Sequence, residues 1–373
     1  MKTLYKTCLL TGTLFAFSPS HALAEDVHAS HHEHGMTVGT ATHQHNHSES
    51  LTPLRVMGDH AHDKGEWMVS YQFKRMHMEG NRQGRDSISN EAIVTTITNP
   101  SAPPPTLRVV PTEMDMDMHM FGAMYGLTDK VTLMAMAMYM DNSMKHLTYA
   151  GMAGTTELGR FTTRSSGWGD TRISGIYNLY QTPAHNVNIS LGVSAPTGSI
   201  KEEDTVLTPM NTTPVLRLPY AMQLGSGTWD GLVGMTYTGH TGAWSWGAQY
   251  NGTFRLENEN SQNYRWGDKH DLTVWGGHRF NDQWGVTTHI AGETMGKIKG
   301  SDANIAAPVQ TANPDNYGGE RMEIGTGFTY TPSIKSMEGI EIGAEISIPI
   351  YQNLHGVQME RDWNASIGIS YTF

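Results

Sequence analysis

Residues 113–144 read EMDMDMHMFGAMYGLTDKVTLMAMAMYMDNSM, with methionine at every second position in two separate runs. A period of two is typical of a β-strand, because successive side chains on a strand point to opposite faces. Between the runs, residues 126–130 (Gly-Leu-Thr-Asp-Lys) predict a short hairpin turn. The stretch therefore predicts two antiparallel strands whose methionines face one another in pairs. The expected pairs are Met124 with Met134, Met120 with Met138, and Met118 with Met140.

The first 24 residues have the pattern of a secretory signal peptide. Lys2 and Lys6 precede an apolar run, residues 8–17, which is too short to span a membrane, and residues 22–24 (Ala-Leu-Ala) form a small-residue cleavage site. The single cysteine, Cys8, lies inside this segment. The mature chain is therefore expected to lack disulfides, and a cysteine metal site or nucleophile is excluded.

Composition narrows the class of protein. The formal net charge of −11 argues against a nucleic-acid partner. Glycine, tyrosine and tryptophan are frequent, and no later stretch of about 20 apolar residues occurs. Alternating segments over residues 64–373 predict an all-β fold, a transmembrane antiparallel up-and-down β-barrel of about 12 strands, in contact with outer-membrane lipid. The competing interpretation is a soluble periplasmic β-protein.

The first predicted strand indicates which way the methionines face. Gln72 and Lys74 share one face with Met76 and Met78, and a lysine on the lipid side of a barrel is costly. The methionines are therefore predicted to line the lumen, although methionine is itself apolar and an outward orientation stays open. The predicted permeation residues are Met76, Met78, Met116, Met118, Met120, Met124, Met134, Met136, Met138 and Met140.

The end of the sequence resembles the C-terminal assembly signal of bacterial outer-membrane proteins. Residues 363–373 alternate apolar and polar side chains, with Gly368 followed by Tyr371 and Phe373. This resemblance implies the barrel assembly machinery as a partner and the bacterial outer membrane as the location.

Residues 25–63 are polar and rich in histidine, so they cannot form a core and are predicted to be a disordered periplasmic tail. Neutral imidazole is a common ligand of copper, zinc and nickel, which makes the tail a candidate chelator. A plain solvated linker is the alternative. The candidate ligands are His28, His31, His32, His34, His43, His45, His47, His60 and His62.

Thioethers are soft, uncharged ligands that suit Cu(I) and Ag(I). The sequence therefore predicts a channel or transporter for small solutes that handles copper or silver ions as cargo and requires no cofactor. Two alternatives stay open: an adaptable apolar lining for hydrophobic molecules, and a metal-buffering barrel with a closed lumen. An enzyme is not expected, because no group of residues is fixed as a nucleophile or an acid–base pair.

Three short glycine-bearing segments suggest a family. Residues 167–170 (Gly-Trp-Gly-Asp), 194–198 (Ser-Ala-Pro-Thr-Gly) and 224–230 (Leu-Gly-Ser-Gly-Thr-Trp-Asp) resemble motifs of the outer-membrane barrel transporters named for the meta-pathway of phenol degradation. The resemblance spans about residues 65–373, and the chain would be a methionine- and histidine-rich member. It implies a channel for small, often aromatic molecules, whereas the methionines and histidines are not implied by it.

Overall fold

The computed structural model describes residues 50–373, which form a closed antiparallel barrel with loops at one end. The predicted signal peptide and residues 25–49 of the predicted tail lie outside the described residues. The strands are β1 (Trp67–Gly84), β2 (Asp86–Ser87), β3 (Val109–Thr128), β4 (Val131–Tyr149), β5 (Glu157–Trp168), β6 (Thr171–Gln181), β7 (His185–Ala195), β8 (Glu203–Thr205), β9 (Val215–Arg217), β10 (Asp230–Thr241), β11 (Trp244–Arg255), β12 (Tyr264–Arg265), β13 (Lys269–Arg279), β14 (Trp284–Met295), β15 (Lys299–Gly300), β16 (Gly319–Tyr330) and β17 (Ile340–Thr372). The helix α1 (Asn90–Thr96) and the 3-10 turns Tyr220–Met222, Gln310–Ala312, Pro314–Asn316 and Lys335–Met337 lie in the connections.

The barrel closes through its first and last strands. Its order is β1-β3-β4-β6-β7-β10-β11-β13-β14-β16-β17, and β17 pairs back onto β1. β17 has two arms: residues 340–354 pair with β16, and residues 354–372 pair with β1. With the two arms counted separately, the barrel has 12 strands, in agreement with the number of about 12 that the sequence predicts. Closure gives each strand of this ring a hydrogen-bonded neighbour on both sides, as a sheet in hydrocarbon requires.

The outer face of the barrel is apolar, as a lipid-facing surface must be. Exposed side chains on this face come from strands all round the barrel: Val69, Phe121, Leu133, Ile173, Leu191, Val233, Leu272, Ile290, Phe328, Ile346 and Ile367. In residues 50–373, no helix has both the length and the apolar character needed to cross a membrane.

The two ends of the barrel differ in their connections. Tight turns join β3 to β4, β6 to β7, β10 to β11 and β13 to β14, and we call this the short-turn end. Residues 85–108, 196–229, 256–268 and 296–318 connect strands at the opposite, long-loop end. Two apolar clusters organise these loops: one packs α1 against the ends of β3 and β4, and the other joins Tyr220, Tyr264 and Tyr317.

One carboxylate joins the three glycine-bearing segments at the long-loop end. Asp170, between β5 and β6, accepts hydrogen bonds from the Gly198 N–H (3.0 Å) and from the Ser226 N–H and Oγ (both 2.8 Å). Thr197 Oγ1 donates to the Gly169 carbonyl at 3.0 Å. The segments that resemble a family signature therefore form one junction, which fixes both ends of the loop of residues 199–225.

Glycine at position 198 is required by close backbone approach. A Cβ added there would lie 2.7 Å from Gly225 Cα and from the Leu224 carbonyl oxygen. We expect Gly198→Ala to lower the free energy of unfolding by about 1–3 kcal/mol, because backbone atoms cannot move aside as a flexible side chain would. Urea unfolding in lipid vesicles measures it. Gly175→Ala on β6, where an added Cβ meets nothing within 4 Å, is the control, and an equal effect of the two substitutions would contradict this account of the junction.

Candidate functional site

Methionine side chains cover the inner face of β1, β3 and β4. The register pairs Met124 with Met134, Met120 with Met138, and Met118 with Met140, which confirms the predicted pairs. Residues in register on adjacent strands share a face, so these methionines form one surface with those of β1. We call this surface the methionine wall: Met68, Met76, Met78, Met114, Met116, Met118, Met120, Met124, Met134, Met136, Met138, Met140 and Met144.

The methionine wall faces the lumen. On the opposite face of the same strands, Val69, Phe121 and Leu133 are 43–45% exposed, as lipid-facing residues are. Gly122 lies in register with Ser70 and Met136 on the inner face, and a Cβ added there would be 4.0 Å from the methyl carbon of Met57, which lies inside the barrel. The orientation that Gln72 and Lys74 suggested is therefore the one found.

The wall is ordered in rungs across β1, β3 and β4. At the long-loop end, Met78, Met114 and Met144 lie in register across the three strands. At the short-turn end, Met68, Met124 and Met134 form a second rung of three methionines. Between them, one rung joins Met76 on β1 and Met116 on β3 to Asn142 on β4, and two rungs place Lys74 or Gln72 on β1 beside paired methionines on β3 and β4. The remaining rung has one methionine, Met136, beside Gly122 and Ser70. Thioethers therefore extend along the whole height of the lumen.

A loop covers the long-loop end of the wall. The 3-10 turn Tyr220–Met222 brings Met222 against the upper methionines, together with Leu218. Met359 on β17 completes an apolar group that we call the outer cluster: Met78, Met114, Met116, Met144, Leu218, Ala221, Met222 and Met359. The sequence did not single out Met222 or Met359, because neither belongs to a periodic run. Met114 and Met144 continue the alternation, so the sequence pattern could have identified them.

Residues 50–66, which we call the N-terminal segment, run from inside the lumen to the rim of the barrel at the short-turn end. The Leu51 N–H donates to Ser245 Oγ (2.9 Å), and Trp275 Nε1 donates to the Leu51 carbonyl (3.2 Å). Gln249 Nε2 donates to the Met57 carbonyl at 2.7 Å, and Asn188 Nδ2 to the Asp59 carbonyl at 2.7 Å. The prediction that the polar tail reaches residue 63 thus differs from the structure over residues 50–63, because amide and hydroxyl groups of the lumen satisfy the backbone of this segment.

Two of the predicted metal ligands belong to this segment, and both are engaged with carboxylates. His60 Nδ1 lies 2.9 Å from Asp59 Oδ1, and His62 Nδ1 lies 2.8 Å from Glu66 Oε2. Burial opposes a charge on His60, but the Asp59 carboxylate outweighs burial and raises the pKa of His60 to about 9. The stability that the His60–Asp59 ion pair contributes is therefore fully present below the unfolded pKa near 6.5 and is lost as the pH rises through 9. The other seven predicted histidines lie outside the described residues.

A charged group faces the lumen from the strands that complete the barrel. Glu293 pairs with Lys269 at 3.0 Å and with Arg321 at 3.2 Å, and Arg361 lies 3.6 Å from Glu323. Arg55 of the N-terminal segment forms an ion pair with Glu323 and lies 3.4 Å from His289 Nε2. Glu323 is only 6% exposed, so this ion pair is shielded from solvent and anchors the segment.

One triad of potential metal-binding side chains occurs among the described residues, and it is outside the lumen. His77, Glu113 and Asp115 lie together on the outward face of β1 and β3. Lys145 holds Glu113 at 2.8 Å, and His77 Nδ1 lies 2.8 Å from Asp115. These groups already have partners within the strands, as expected for polar ends of strands that project beyond the hydrocarbon.

Comparison with known proteins identifies the fold. No model of a known protein family matches this sequence, and no curated protein matches it. The structure resembles the crystal structure of the COG4313 outer membrane channel from Pseudomonas putida F1, with a TM-score of 0.56 and 13% identity over 87% of this chain and 100% of that chain. It also resembles a Pseudomonas aeruginosa FadL homologue, with a TM-score of 0.43 and 10% identity over 82% and 90% of the two chains. The chain thus has the fold of outer-membrane channel barrels, which fits a bacterial outer membrane; the phenol-degradation family stays a prediction.

The Arg55 ion pair can be tested by cysteine accessibility, since Cys8 is the only native cysteine. With Met57→Cys as the reporter, we expect Arg55→Gln to speed thiol labelling by about tenfold or more, because a hydrogen bond to a charged group contributes about 1.5–3 kcal/mol. Lys64→Gln, at an exposed position of the same segment, is the control. Equal labelling rates in the two backgrounds would show that Arg55 does not anchor the segment.

Proposed function

We propose that this protein is a non-catalytic outer-membrane channel for small solutes, whose path follows the methionine wall. The observation that carries the proposal is the unbroken run of thioethers from one end of the lumen to the other. The shared fold with an outer-membrane channel supports it. Because short turns are periplasmic in such barrels, the N-terminal segment lies at the periplasmic exit and the outer cluster at the extracellular entrance.

The N-terminal segment is the gate in this proposal. It occupies the lumen at the short-turn end and is held there by hydrogen bonds and by one buried ion pair. Its contacts to the barrel use side chains such as Gln249 on β11 and Asn188 on β7, which can bind water when the segment leaves. Passage then requires displacement of residues 50–66, with the barrel itself unchanged.

The chemistry of the wall supports two classes of cargo. Thioethers bind Cu(I) and Ag(I) without losing a proton, and successive sulfurs on one strand are about 7 Å apart, near enough for transfer between flexible side chains. Copper or silver ions are therefore the first class.

Small hydrophobic molecules, including aromatic ones, are the second class. Methionine forms an adaptable apolar surface, and the outer cluster combines it with Leu218 and Ala221. The resemblance of the glycine motifs to the phenol-degradation family favours this class.

Replacing Met134, Met136, Met138 and Met140 by leucine separates the two classes, because leucine keeps the apolar surface and removes the sulfur. In proteoliposomes we expect Ag(I) flux to fall by about tenfold or more, because loss of groups that only support a metal ligand already costs about this much and here the soft ligands themselves are removed. Flux of an uncharged aromatic probe is expected to stay the same. Met235→Leu with Met322→Leu, both on the outer face, is the matched control. Unchanged Ag(I) flux would eliminate metal passage and leave the hydrophobic cargo.

The predicted chelating tail can be tested without disturbing the gate. Deleting residues 28–47 removes seven histidines and retains Leu51, Arg55 and the rest of the N-terminal segment. We expect the purified protein to bind fewer equivalents of Cu(II) and Zn(II), measured by metal analysis after gel filtration, since imidazole is their common ligand. Unchanged binding would make residues 28–47 a plain linker.

A further inference from the structure

The outer cluster is unusual in composition beside its neighbours at the same end of the barrel. Six of its eight members are methionines. The cluster under α1 is built from isoleucine, valine, leucine and tyrosine, and the tyrosine cluster from aromatic, isoleucine and alanine side chains. Neither of these two contains a methionine. All three clusters fill space beneath loops. Packing alone therefore does not explain why thioethers are concentrated in the outer cluster.

The geometry of the cluster brings these thioethers together. Met78, Met114 and Met144 are in register on three adjacent strands, which lie about 4.8 Å apart. Met222 approaches from the covering loop and Met359 from β17, so ligands come from more than one direction. Each methionine has three rotatable bonds beyond the backbone, enough to turn its sulfur toward a common point.

Burial sets what such a site can hold. Met114, Met144 and Met222 are at most 1% exposed, and Met359 is 6% exposed. Thioether sulfurs are the only potential metal ligands among the side chains that form the outer cluster, and they bind hard divalent ions poorly. A soft monovalent ion needs neither a negative ligand nor deprotonation, and sulfur coordination compensates for the water that it loses.

We propose that the outer cluster is a binding site for one soft monovalent cation, Cu(I) or Ag(I), coordinated only by thioethers. The central ligands are Met78, Met114 and Met144, with Met222 and Met359 closing the site from above. The inference rests on the proposed function only for the role of this site as the entrance to the methionine wall. Binding itself requires no passage through the barrel and no change in the oxidation state of the ion.

Binding of Ag(I) and of reduced copper to the purified full-length barrel in chloride-free detergent buffer tests the proposal. We expect Met114→Leu with Met144→Leu to weaken binding at one site by about 10- to 100-fold, since loss of groups that hold a metal costs at least this much. The control is Met235→Leu with Met322→Leu on the outer face, which leaves as many methionines as Met114→Leu with Met144→Leu does. It is expected to bind as the wild type. X-ray absorption is expected to show sulfur neighbours around copper at this site.

Two further measurements, gel mobility and solute flux, distinguish loss of the site from misfolding of the barrel and from loss of the channel. Heat-dependent gel mobility reports whether each variant forms a barrel. Met222→Leu alone is included because it changes only the covering loop. If folded Met114→Leu/Met144→Leu protein binds Ag(I) as the control does, the site is overturned. Solute flux measured on the same samples tests the channel independently: flux without an Ag(I) site rejects only this inference, and an Ag(I) site without flux rejects only the proposed function.

Discussion

The register between β1, β3 and β4 is the constraint on which the rest of the structure depends. It places Met78 beside Met114 and Met114 beside Met144, and the same offset holds down to Met68, Met124 and Met134. Because side chains alternate strictly between faces, this one offset sends every methionine of these three strands inward and their large apolar neighbours, such as Val69, Phe121 and Leu133, outward. The lipid-facing surface and the lining of the lumen are thus two results of a single alignment.

Chain that does not belong to the barrel strands lies at both ends of the lumen, and the contacts that hold it differ in chemistry between the two ends. At the short-turn end, the N-terminal segment is held by hydrogen bonds and by the Arg55–Glu323 ion pair. At the long-loop end, the loop carrying Met222 is held by apolar packing and by the Asp170 junction. Hydrogen bonds between uncharged groups can be exchanged for water at little net cost, whereas buried apolar surface cannot be exposed so cheaply. This difference supports the proposal of a gate at the short-turn end.

The sequence predicted the features that repeat locally and missed those that depend on distant partners. The facing methionine pairs follow from a period of two and a short turn, and the strand count follows from the alternating segments. The position of residues 50–63 did not follow, because their polar composition resembles that of a solvated tail, and the groups that hold them, Ser245 and Trp275 for example, lie about 200 residues away in the chain. Met222 and Met359 could not be identified for the same reason. The glycine motifs were recognised, with Asp170 in one of them, but the hydrogen bonds through which Asp170 joins the three segments are visible only in three dimensions.

The Asp170 junction has a consequence for the order of assembly. Its partners, Gly198 and Ser226, lie on either side of the covering loop and become neighbours only when β6, β7 and β10 have paired. Until then, the outer cluster has no cover, and its sulfurs are open to oxidants that convert methionine into its polar sulfoxide. A nascent barrel in an oxidising compartment therefore passes through a short period of chemical vulnerability, which ends when the three strand ends meet.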